Sequence, residues 1–197
     1  MKIIKSGIKR IRWLAAYNFG MPIYSLHLKK QSLIYKYQIK FNISTLIESG
    51  TFLGEMVSAM HHIFSQIHSI ELDEQLAKNA QAHFSNLKNI KIWQGDSSEI
   101  LPKIISKTEE AALFWLDGHY SEGITAKGEL TTPISSELLH LSQFKHLEKS
   151  VILIDDARLF DGTNDYPNLL KLQNKCSSLF PNHQWKVSQD IIQIFPN

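Results

Sequence analysis

Acidic side chains follow five short apolar segments of this chain, where carboxylates could bind sugar hydroxyls or cations. The acids are Glu48, Glu71, Asp96, Asp117 and the adjacent pair Asp155 and Asp156. In open α/β sheets, ligands bind beyond the carboxyl ends of the strands, and acids at five strand ends in register are hard to attribute to helix capping. Glu71 lies 23 residues after Glu48, close to the offset of roughly 20 residues at which an acid meets ribose hydroxyls in dinucleotide folds. The pattern predicts a nucleotide-type ligand at this edge.

A glycine turn follows the first of these acids. Residues 45–56 form an apolar strand, an acid, a turn containing Gly50 and Gly54, and the start of a helix. Glycine lets the backbone approach a ligand where a Cβ would collide, and a helix N-terminus offers unpaired N–H groups. Two glycines after a strand also occur in ordinary strand-to-helix turns. The acids that follow are therefore needed to distinguish a ligand-binding turn from an ordinary one.

The elements that position these residues can be predicted from apolar periodicity. Strands are predicted at residues 45–47, 68–71, 90–93, 111–116 and 150–154, and helices at residues 25–41, 73–84, 97–107, 133–144 and 169–179. Segments 184–187 and 191–195 flank a Ser-Gln-Asp turn, which is typical of an antiparallel hairpin. Residues 118–133 are predicted to form a polar loop of unusual length, and such loops are often functional. This alternation predicts a doubly wound α/β sheet.

Length and composition indicate one soluble globular domain with an extension. The 197 residues are 43% apolar and 20% charged, which argues against disorder. We predict a basic helical N-terminal extension at residues 1–42 and an α/β domain at residues 43–197. The only cysteine, Cys176, excludes an intramolecular disulfide, suits the cytosol and is predicted to lie in the core.

Charge is divided unevenly along the chain. Residues 1–47 contain nine Lys and Arg residues and no acid, whereas the remainder has a balance of −7. A basic arm on an acidic domain suggests an anionic partner such as a membrane surface, nucleic acid or an acidic glycan. A solvated helix face, or an arm docked on its own domain, produces the same pattern. We predict a cytoplasmic protein, with the inner face of the membrane as an alternative location.

Five motifs together resemble those of the class I S-adenosylmethionine-dependent methyltransferases. They are E-S-G-T-F-L-G, S-I-E-L-D, G-D-S, W-L-D-G-H-Y and I-L-I-D-D, and they span residues from about 45 to 154. The resemblance implies a Rossmann-like seven-stranded sheet, mostly parallel, with an antiparallel C-terminal hairpin. It does not cover the residues before 40.

The same resemblance implies a binding site for S-adenosylmethionine. Its cofactor-binding residues would be Glu48, Gly50, Thr51, Phe52, Gly54, Glu71, Leu72, Asp96, Ser97 and Asp117. Glu48 and Gly50 would lie by the methionine end, Glu71 would hold the ribose, and Asp96 with Ser97 would lie by the adenine. Phe52 stands where a glycine is common in this fold, which loosens the motif. The dehydrogenase fingerprint G-x-G-x-x-G is absent, which weighs against a nicotinamide cofactor.

Residues 117–123, together with Asp155 and Asp156, resemble a narrower group, the metal-dependent O-methyltransferases of sugars and small hydroxylated molecules. In that group an acid after strand four and an acid pair after strand five hold Mg²⁺, which implies Asp117, Asp155 and Asp156 as ligands. Hard divalent cations prefer carboxylate oxygens, and adjacent carboxylates repel each other unless a cation neutralises them. The alternative is that Asp155 caps a helix and Asp156 pairs with Arg158.

Three candidate catalytic residues lie at and after the fourth strand end: Asp117, His119 and Lys127. His119 is the best candidate base, because an ordinary histidine pKa near 6.5 allows proton transfer at neutral pH. A histidine that positions substrate or only structures the loop is the alternative. Lys127 could bind an acidic substrate or act as the base, although most loop lysines do neither.

The sequence therefore predicts a methyltransferase that modifies a hydroxyl of a sugar or small metabolite with Mg²⁺ assistance. Two alternatives stay open: a nucleotide-sugar or NAD-dependent enzyme, and a non-catalytic protein that binds membrane surfaces or glycans. Fold alone cannot choose among them. The expected partners are a small molecule or glycan and an anionic membrane surface; no nucleic acid is expected, and a homodimer is left open.

Overall fold

A seven-stranded sheet forms the centre of the protein, which a computed structural model describes at residues 24–118, 132–163 and 165–197. The strands are β1 (Thr45–Ser49), β2 (Gln66–Glu71), β3 (Ile90–Gln94), β4 (Ala112–Leu116), β5 (Val151–Ile154), β6 (His183–Ser188) and β7 (Ile191–Pro196). Their order is β3-β2-β1-β4-β5-β7-β6. Strands β1 to β5 pair in parallel, and β7 pairs antiparallel with both β5 and β6. The predicted mostly parallel sheet with a C-terminal hairpin is confirmed.

Helices cover both faces of this sheet. The described part of the chain contains α1 (Tyr24–Phe41), α2 (Glu55–Met60), α3 (Glu74–Phe84), α4 (Ser97–Ile105), α5 (Ile134–Leu141) and α6 (Leu169–Leu179). Successive strand residues point to opposite faces. Leu46 accordingly packs in the core beneath α1, α2 and α3, and Ile47 in the core beneath α4, α5 and α6. The doubly wound arrangement follows from this alternation of buried side chains.

Several predicted boundaries shift by one to three residues because caps and turns decide where elements begin and end. Asp96, rather than Ser97, caps α4, since its carboxylate accepts the Ser98 N–H at 2.8 Å. Helix α5 ends at Leu141, three residues before its predicted end, so Phe144 lies outside the observed helix, although it is still buried. The hairpin turn has left-handed backbone at Gln189 and Asp190, as a two-residue turn between twisted strands requires.

Helix α1, the described part of the N-terminal extension, packs on the sheet. Ile34 and Tyr37 are buried, and the Tyr37 hydroxyl donates to Gln193 Oε1 of β7 at 2.9 Å. The Tyr37 ring also lies 5.2 Å from the Phe195 ring, centroid to centroid. Helix α1 therefore contributes to the core of the α/β domain. None of the helices in the described ranges has the length and apolar content needed to cross a membrane.

Candidate functional site

Parallel register brings the predicted acids to one edge of the sheet. Ser49 of β1 is paired with Ile70 of β2 and Leu116 of β4, and Leu116 is paired with Ile154 of β5. The acids at or next to these strand ends therefore meet along a single edge: Glu48, Glu71, Asp117, Asp155 and Asp156. We refer to Glu48, Gly50, Glu71 and Asp96 as the cofactor half of this edge, and to Asp117, Asp155 and Asp156 as the acidic cluster.

Gly50 of the cofactor half lies directly against Asp117 of the acidic cluster. Its backbone has φ +90°, and a Cβ added there would lie 2.4 Å from the carbonyl oxygen of Asp117. Its N–H donates to Ile70 O at 2.9 Å. Gly54 has φ +72°, and a Cβ there would lie 2.7 Å from the Phe84 ring. Both glycines of the motif are required by left-handed backbone and close packing.

Glu48 is a fully enclosed carboxyl at the centre of the cofactor half. The Ser69 hydroxyl donates to Glu48 Oε2, and Thr51 Oγ1 lies 2.6 Å from Ser69 Oγ. Burial, reinforced by the charges of Asp117 and Glu71, raises the pKa of Glu48 to about 8, although the Ser69 hydrogen bond opposes this. Glu48 can therefore hold a proton near neutral pH.

Glu71 is held by backbone N–H groups. Its Oε2 accepts the Phe52 N–H at 2.7 Å, and its Oε1 accepts the Asp73 N–H at 3.0 Å. Phe52 has φ +48°, a left-handed backbone that a non-glycine residue adopts at some energetic cost and that sites often impose. Each carboxylate oxygen of Glu71 can accept a further hydrogen bond. The adjacent Leu72 is also held, since its carbonyl oxygen accepts a hydrogen bond from Gln94 Nε2 at 3.2 Å. Glu71 is thus oriented before any ligand binds.

Asp96 has a capping role in the structure. Its Oδ1 accepts the N–H and the hydroxyl of Ser98 at 2.8 and 2.6 Å, and the adjacent Ser97 is buried at the start of α4. Negative charge here is favoured by the dipole of α4. The predicted contact of Asp96 and Ser97 with an adenine stays a prediction, but the cap fixes both residues beside the edge.

The acidic cluster brings three carboxylates from two strand ends together. One oxygen each of Asp117, Asp155 and Asp156 lies within 4.8 Å of the others. Asp155 and Asp156 are buried. Burial, followed by the charge of Asp117, raises the pKa of Asp155 above its usual range, although Lys30 opposes the rise. Such a set of hard oxygen donors suits a divalent cation.

Two basic side chains face this cluster. Lys30 of α1 donates to Asp155 Oδ2, and Arg158 Nη1 lies 2.7 Å from Asp156 Oδ1 while it also pairs with Asp190. The pairing of Asp156 with Arg158 that the sequence left open is therefore present. Asp155 caps no helix of the described chain; instead its Oδ1 accepts the Asp156 N–H at 2.8 Å.

Sequence reasoning missed Glu137, whose carboxyl is buried beneath the edge. Burial raises its pKa to about 7, while the hydroxyls of Ser97 and Ser49 oppose the rise. Neither Glu137 Oε1 nor Ser49 Oγ makes a hydrogen bond of normal geometry within the ranges described. A signal was available, because Glu137 is three residues after Ile134 and one before Leu138, on the apolar face of the predicted helix.

Two of the candidate catalytic residues cannot be placed. His119 and Lys127 lie outside the described residues. Asp117, the third candidate, is partly exposed at the end of β4 and belongs to the acidic cluster. Lys30 and Ser69 were not predicted, since nothing near either residue in the sequence indicates that it will reach a strand-end acid.

Structural comparison relates this fold to methyltransferases, although no family model matches the chain and no curated protein matches it in sequence. The O-methyltransferase TomG from Streptomyces achromogenes, solved with S-adenosylmethionine, has a TM-score of 0.60 at 13% identity over 93% of this chain and 86% of its own. The S-adenosylhomocysteine-bound methyltransferase PaMTH1 from Podospora anserina has a TM-score of 0.57 at 14% identity over 94% and 86%.

The similar structures also include a methyltransferase of RNA. The 23S rRNA methyltransferase ErmE has a TM-score of 0.53 at 14% identity over 84% of this chain and 68% of its own. At identities this low, the structural similarity establishes the fold but does not identify the substrate. The chain has the fold of class I S-adenosylmethionine-dependent methyltransferases.

Proposed function

We propose that this protein transfers the methyl group of S-adenosylmethionine to a hydroxyl of a sugar or small metabolite, with Mg²⁺ assistance. The observation that carries the proposal is the meeting of the cofactor half and the acidic cluster at Gly50 and Asp117. A ligand on the first would lie directly beside a cation on the second. A metal-assisted methyl transfer would require this adjacency, because the acceptor oxygen must lie on the cation and at contact distance from the methyl donor.

On the cofactor half, each residue has a role that its geometry supports. Glu71, already oriented by two backbone N–H groups, would accept hydrogen bonds from both ribose hydroxyls. Gly50 would allow the methionine end of the cofactor to approach the backbone, next to Glu48. Asp96 and Ser97 would bound the adenine. Thr51, Phe52, Gly54 and Leu72 would shape the surrounding turns.

The acidic cluster fits a divalent cation by its chemistry. Asp117, Asp155 and Asp156 would hold Mg²⁺, because one oxygen of each lies within 4.8 Å of the others and divalent cations of this kind prefer carboxylate oxygens. When bound, S-adenosylmethionine supplies a methyl group activated by its sulfonium, and Mg²⁺ supplies a Lewis acid that lowers the pKa of an acceptor hydroxyl.

The chain itself would align the acceptor and remove its proton. In an in-line displacement the sulfur–methyl bond breaks as the oxygen–methyl bond forms, and the hydroxyl proton leaves to a base. We assign this base to His119, with Lys127 as the second candidate, because both follow Asp117 closely in the chain. The pKa of an ordinary histidine suits this role near neutral pH.

The cofactor is tested by calorimetry of the purified protein. S-adenosylhomocysteine, NAD and a nucleotide-sugar are titrated separately, with and without MgCl₂. We expect binding of S-adenosylhomocysteine alone. Binding of NAD or the nucleotide-sugar without S-adenosylhomocysteine would contradict the proposal and favour the alternative enzyme classes. Binding of none of the three would favour a non-catalytic protein that retains the fold.

The metal role is tested with Asp155→Asn. This variant should lose Mg²⁺-dependent turnover while S-adenosylhomocysteine still binds. Glu148→Gln is the matched control, because Glu148 is an exposed acid on the same chain segment and should leave turnover unchanged. Equal turnover of Asp155→Asn and the native protein would refute the metal role.

We also propose that the basic N-terminal arm binds an anionic membrane surface. On α1, Lys29, Lys36 and Lys40 are exposed, as is 58% of Ile39; basic and apolar groups together favour an anionic bilayer. Deletion of residues 1–20 should reduce sedimentation with phosphatidylserine vesicles, and neutral phosphatidylcholine vesicles serve as the control. Residues 1–20 contain five of the nine basic residues in residues 1–47, so equal sedimentation with and without them would contradict the proposal.

A further inference from the structure

Lys30 reaches the acidic cluster from a helix that precedes the α/β domain in sequence. Its Nζ donates to Oδ2 of Asp155, 125 positions later in the chain. Only 16% of the Lys30 side chain is exposed, and the Asp155 side chain is fully buried. The contact is thus an enclosed ion pair, in contrast to the exposed pairs that typically contribute little to stability.

The packing of α1 delivers this ammonium to Asp155. Ile34 and Tyr37 lie four and seven positions after Lys30, on the same face of the helix, and both are buried against the sheet. The Lys30 Nζ also lies 6.0 Å from the centre of the Trp115 ring on β4. Lys30 is therefore held over the end of β4 and β5 by the same contacts that dock the helix.

The Lys30 ammonium and a divalent cation require the same carboxylate. Asp155 Oδ1 already accepts the Asp156 N–H, so Oδ2 is the oxygen best placed to receive a cation, and Lys30 occupies it. Two cations at contact distance on one enclosed oxygen repel each other strongly, because the surroundings screen them poorly. Arg158 presents a smaller obstacle, since 58% of its side chain is exposed and it can move into solvent.

We propose that Lys30 is an intramolecular competitor for the divalent cation, so that metal binding releases Lys30 from Asp155 and loosens α1 on the sheet. This inference rests on the proposed function and adds a regulation of the same site. The competition for Asp155 would couple α1 to the acidic cluster. A contact that holds α1 down would weaken metal binding, and metal binding would weaken the contact, since coupling between two sites is reciprocal.

The affinity of MnCl₂ alone tests this inference, measured by calorimetry without cofactor. Lys30→Met keeps the aliphatic stem and removes the charge, and it should bind Mn²⁺ about tenfold more tightly, because apparent affinity scales with the fraction of molecules whose site is free. Lys29→Met is the control, since Lys29 is exposed on the same helix and its removal changes net charge equally. We expect it to remain within about twofold of the native protein.

Hydrogen exchange of the native protein gives a second measurement that needs no substitution. Addition of MnCl₂ should speed amide exchange in α1 and leave α6 unchanged. Equal or weaker Mn²⁺ binding by Lys30→Met, tightening by Lys29→Met of the same size, or unchanged exchange in α1 would each overturn the inference. So would a lack of Mn²⁺ binding in every variant.

These failures are distinct from a failure of the proposed function. Titration of S-adenosylhomocysteine reports the cofactor half, which Lys30 does not contact among the hydrogen bonds and ion pairs of the described chain. If S-adenosylhomocysteine binds but Lys30→Met leaves Mn²⁺ affinity unchanged, only the competition is wrong. If S-adenosylhomocysteine does not bind, the methyltransferase proposal itself fails.

Discussion

The cofactor half and the acidic cluster hold their carboxylates in different ways. In the cofactor half, Glu48 and Glu71 accept hydrogen bonds from a hydroxyl and from backbone N–H groups of neighbouring turns. In the acidic cluster, Asp155 and Asp156 instead face the cations Lys30 and Arg158. The first set is oriented by neutral donors, and the second is neutralised by charge.

This difference indicates what each half is suited to bind. The neutral donors to Glu71 orient its carboxylate and leave lone pairs for the hydroxyls of a ligand. A side-chain cation, by contrast, occupies the position that another cation would take and can be exchanged for it. We therefore expect substitutions in the cofactor half and around the acidic cluster to differ in their effects on stability and ligand binding.

The largest effect should come from Gly50→Ala, where the two halves touch. The new Cβ would collide with the Asp117 carbonyl at 2.4 Å, in a backbone with φ +90°. We expect destabilisation of about 3 kcal/mol or more in urea unfolding. Gly162→Ala is the control, since it has φ +95° but its nearest neighbour is at 3.7 Å, and it should cost about 1 kcal/mol. Equal losses would show that the close approach has no energetic role.

The next effect concerns Glu137, the carboxyl beneath the cofactor half whose Oε1 has no partner within the described ranges. Its pKa is raised from 4.5 to about 7, so the folded protein binds a proton that the unfolded chain releases. The resulting stability is full below pH 4.5 and is lost as the pH rises through about 7.

Glu137→Gln should remove this pH dependence. Between pH 4.5 and 7.5, the difference in unfolding free energy between variant and native protein should change on the order of 3 kcal/mol in favour of the variant. Chemical denaturation at several pH values measures it. Parallel stability curves for the two proteins would show that Glu137 is not protonated in the folded state.

A smaller effect is expected from Glu71→Gln, which tests the cofactor half directly. Loss of charge-assisted hydrogen bonds to the ribose should weaken S-adenosylhomocysteine binding by about 10- to 100-fold. Glu74→Gln is the control, because Glu74 is an exposed acid paired with Lys78. Unchanged affinity in Glu71→Gln would remove this residue from the site.

The smallest effect should come from Arg158→Ala in the acidic cluster. With 58% of its side chain exposed, Arg158 should contribute no more than about 1 kcal/mol to stability. Thermal unfolding in low salt and in 1 M NaCl measures this contribution, which should shrink in high salt because its charges are screened. A larger, salt-independent loss would place Arg158 with the enclosed pairs.

Much of the fold could be predicted because its signals are local. The five apolar residues of β4, the apolar face of α5 and the Ser-Gln-Asp turn before β7 each indicate their structure within a few residues. Boundaries were less predictable, since the helix predicted at residues 97–107 ends at Ile105 and the helix predicted at residues 133–144 ends at Leu141. Glu137 was within reach of the same reasoning, as an acid on an apolar face.

The residues of the candidate site also differ in whether the sequence could predict them. Glu48, Glu71, Asp117 and the acid pair could be predicted because each lies at or directly after the carboxyl end of a strand, and parallel strands align these ends at one edge. Lys30 could not be predicted, because its partner is 125 positions away and only the docking of α1 brings the two together. Local spacing therefore determined which acids meet, whereas the packing of distant segments decided which cations face them. The apolar periodicity that predicts a strand or helix is contained in a few consecutive residues. An ion pair instead depends on the distance between two side chains in the folded protein.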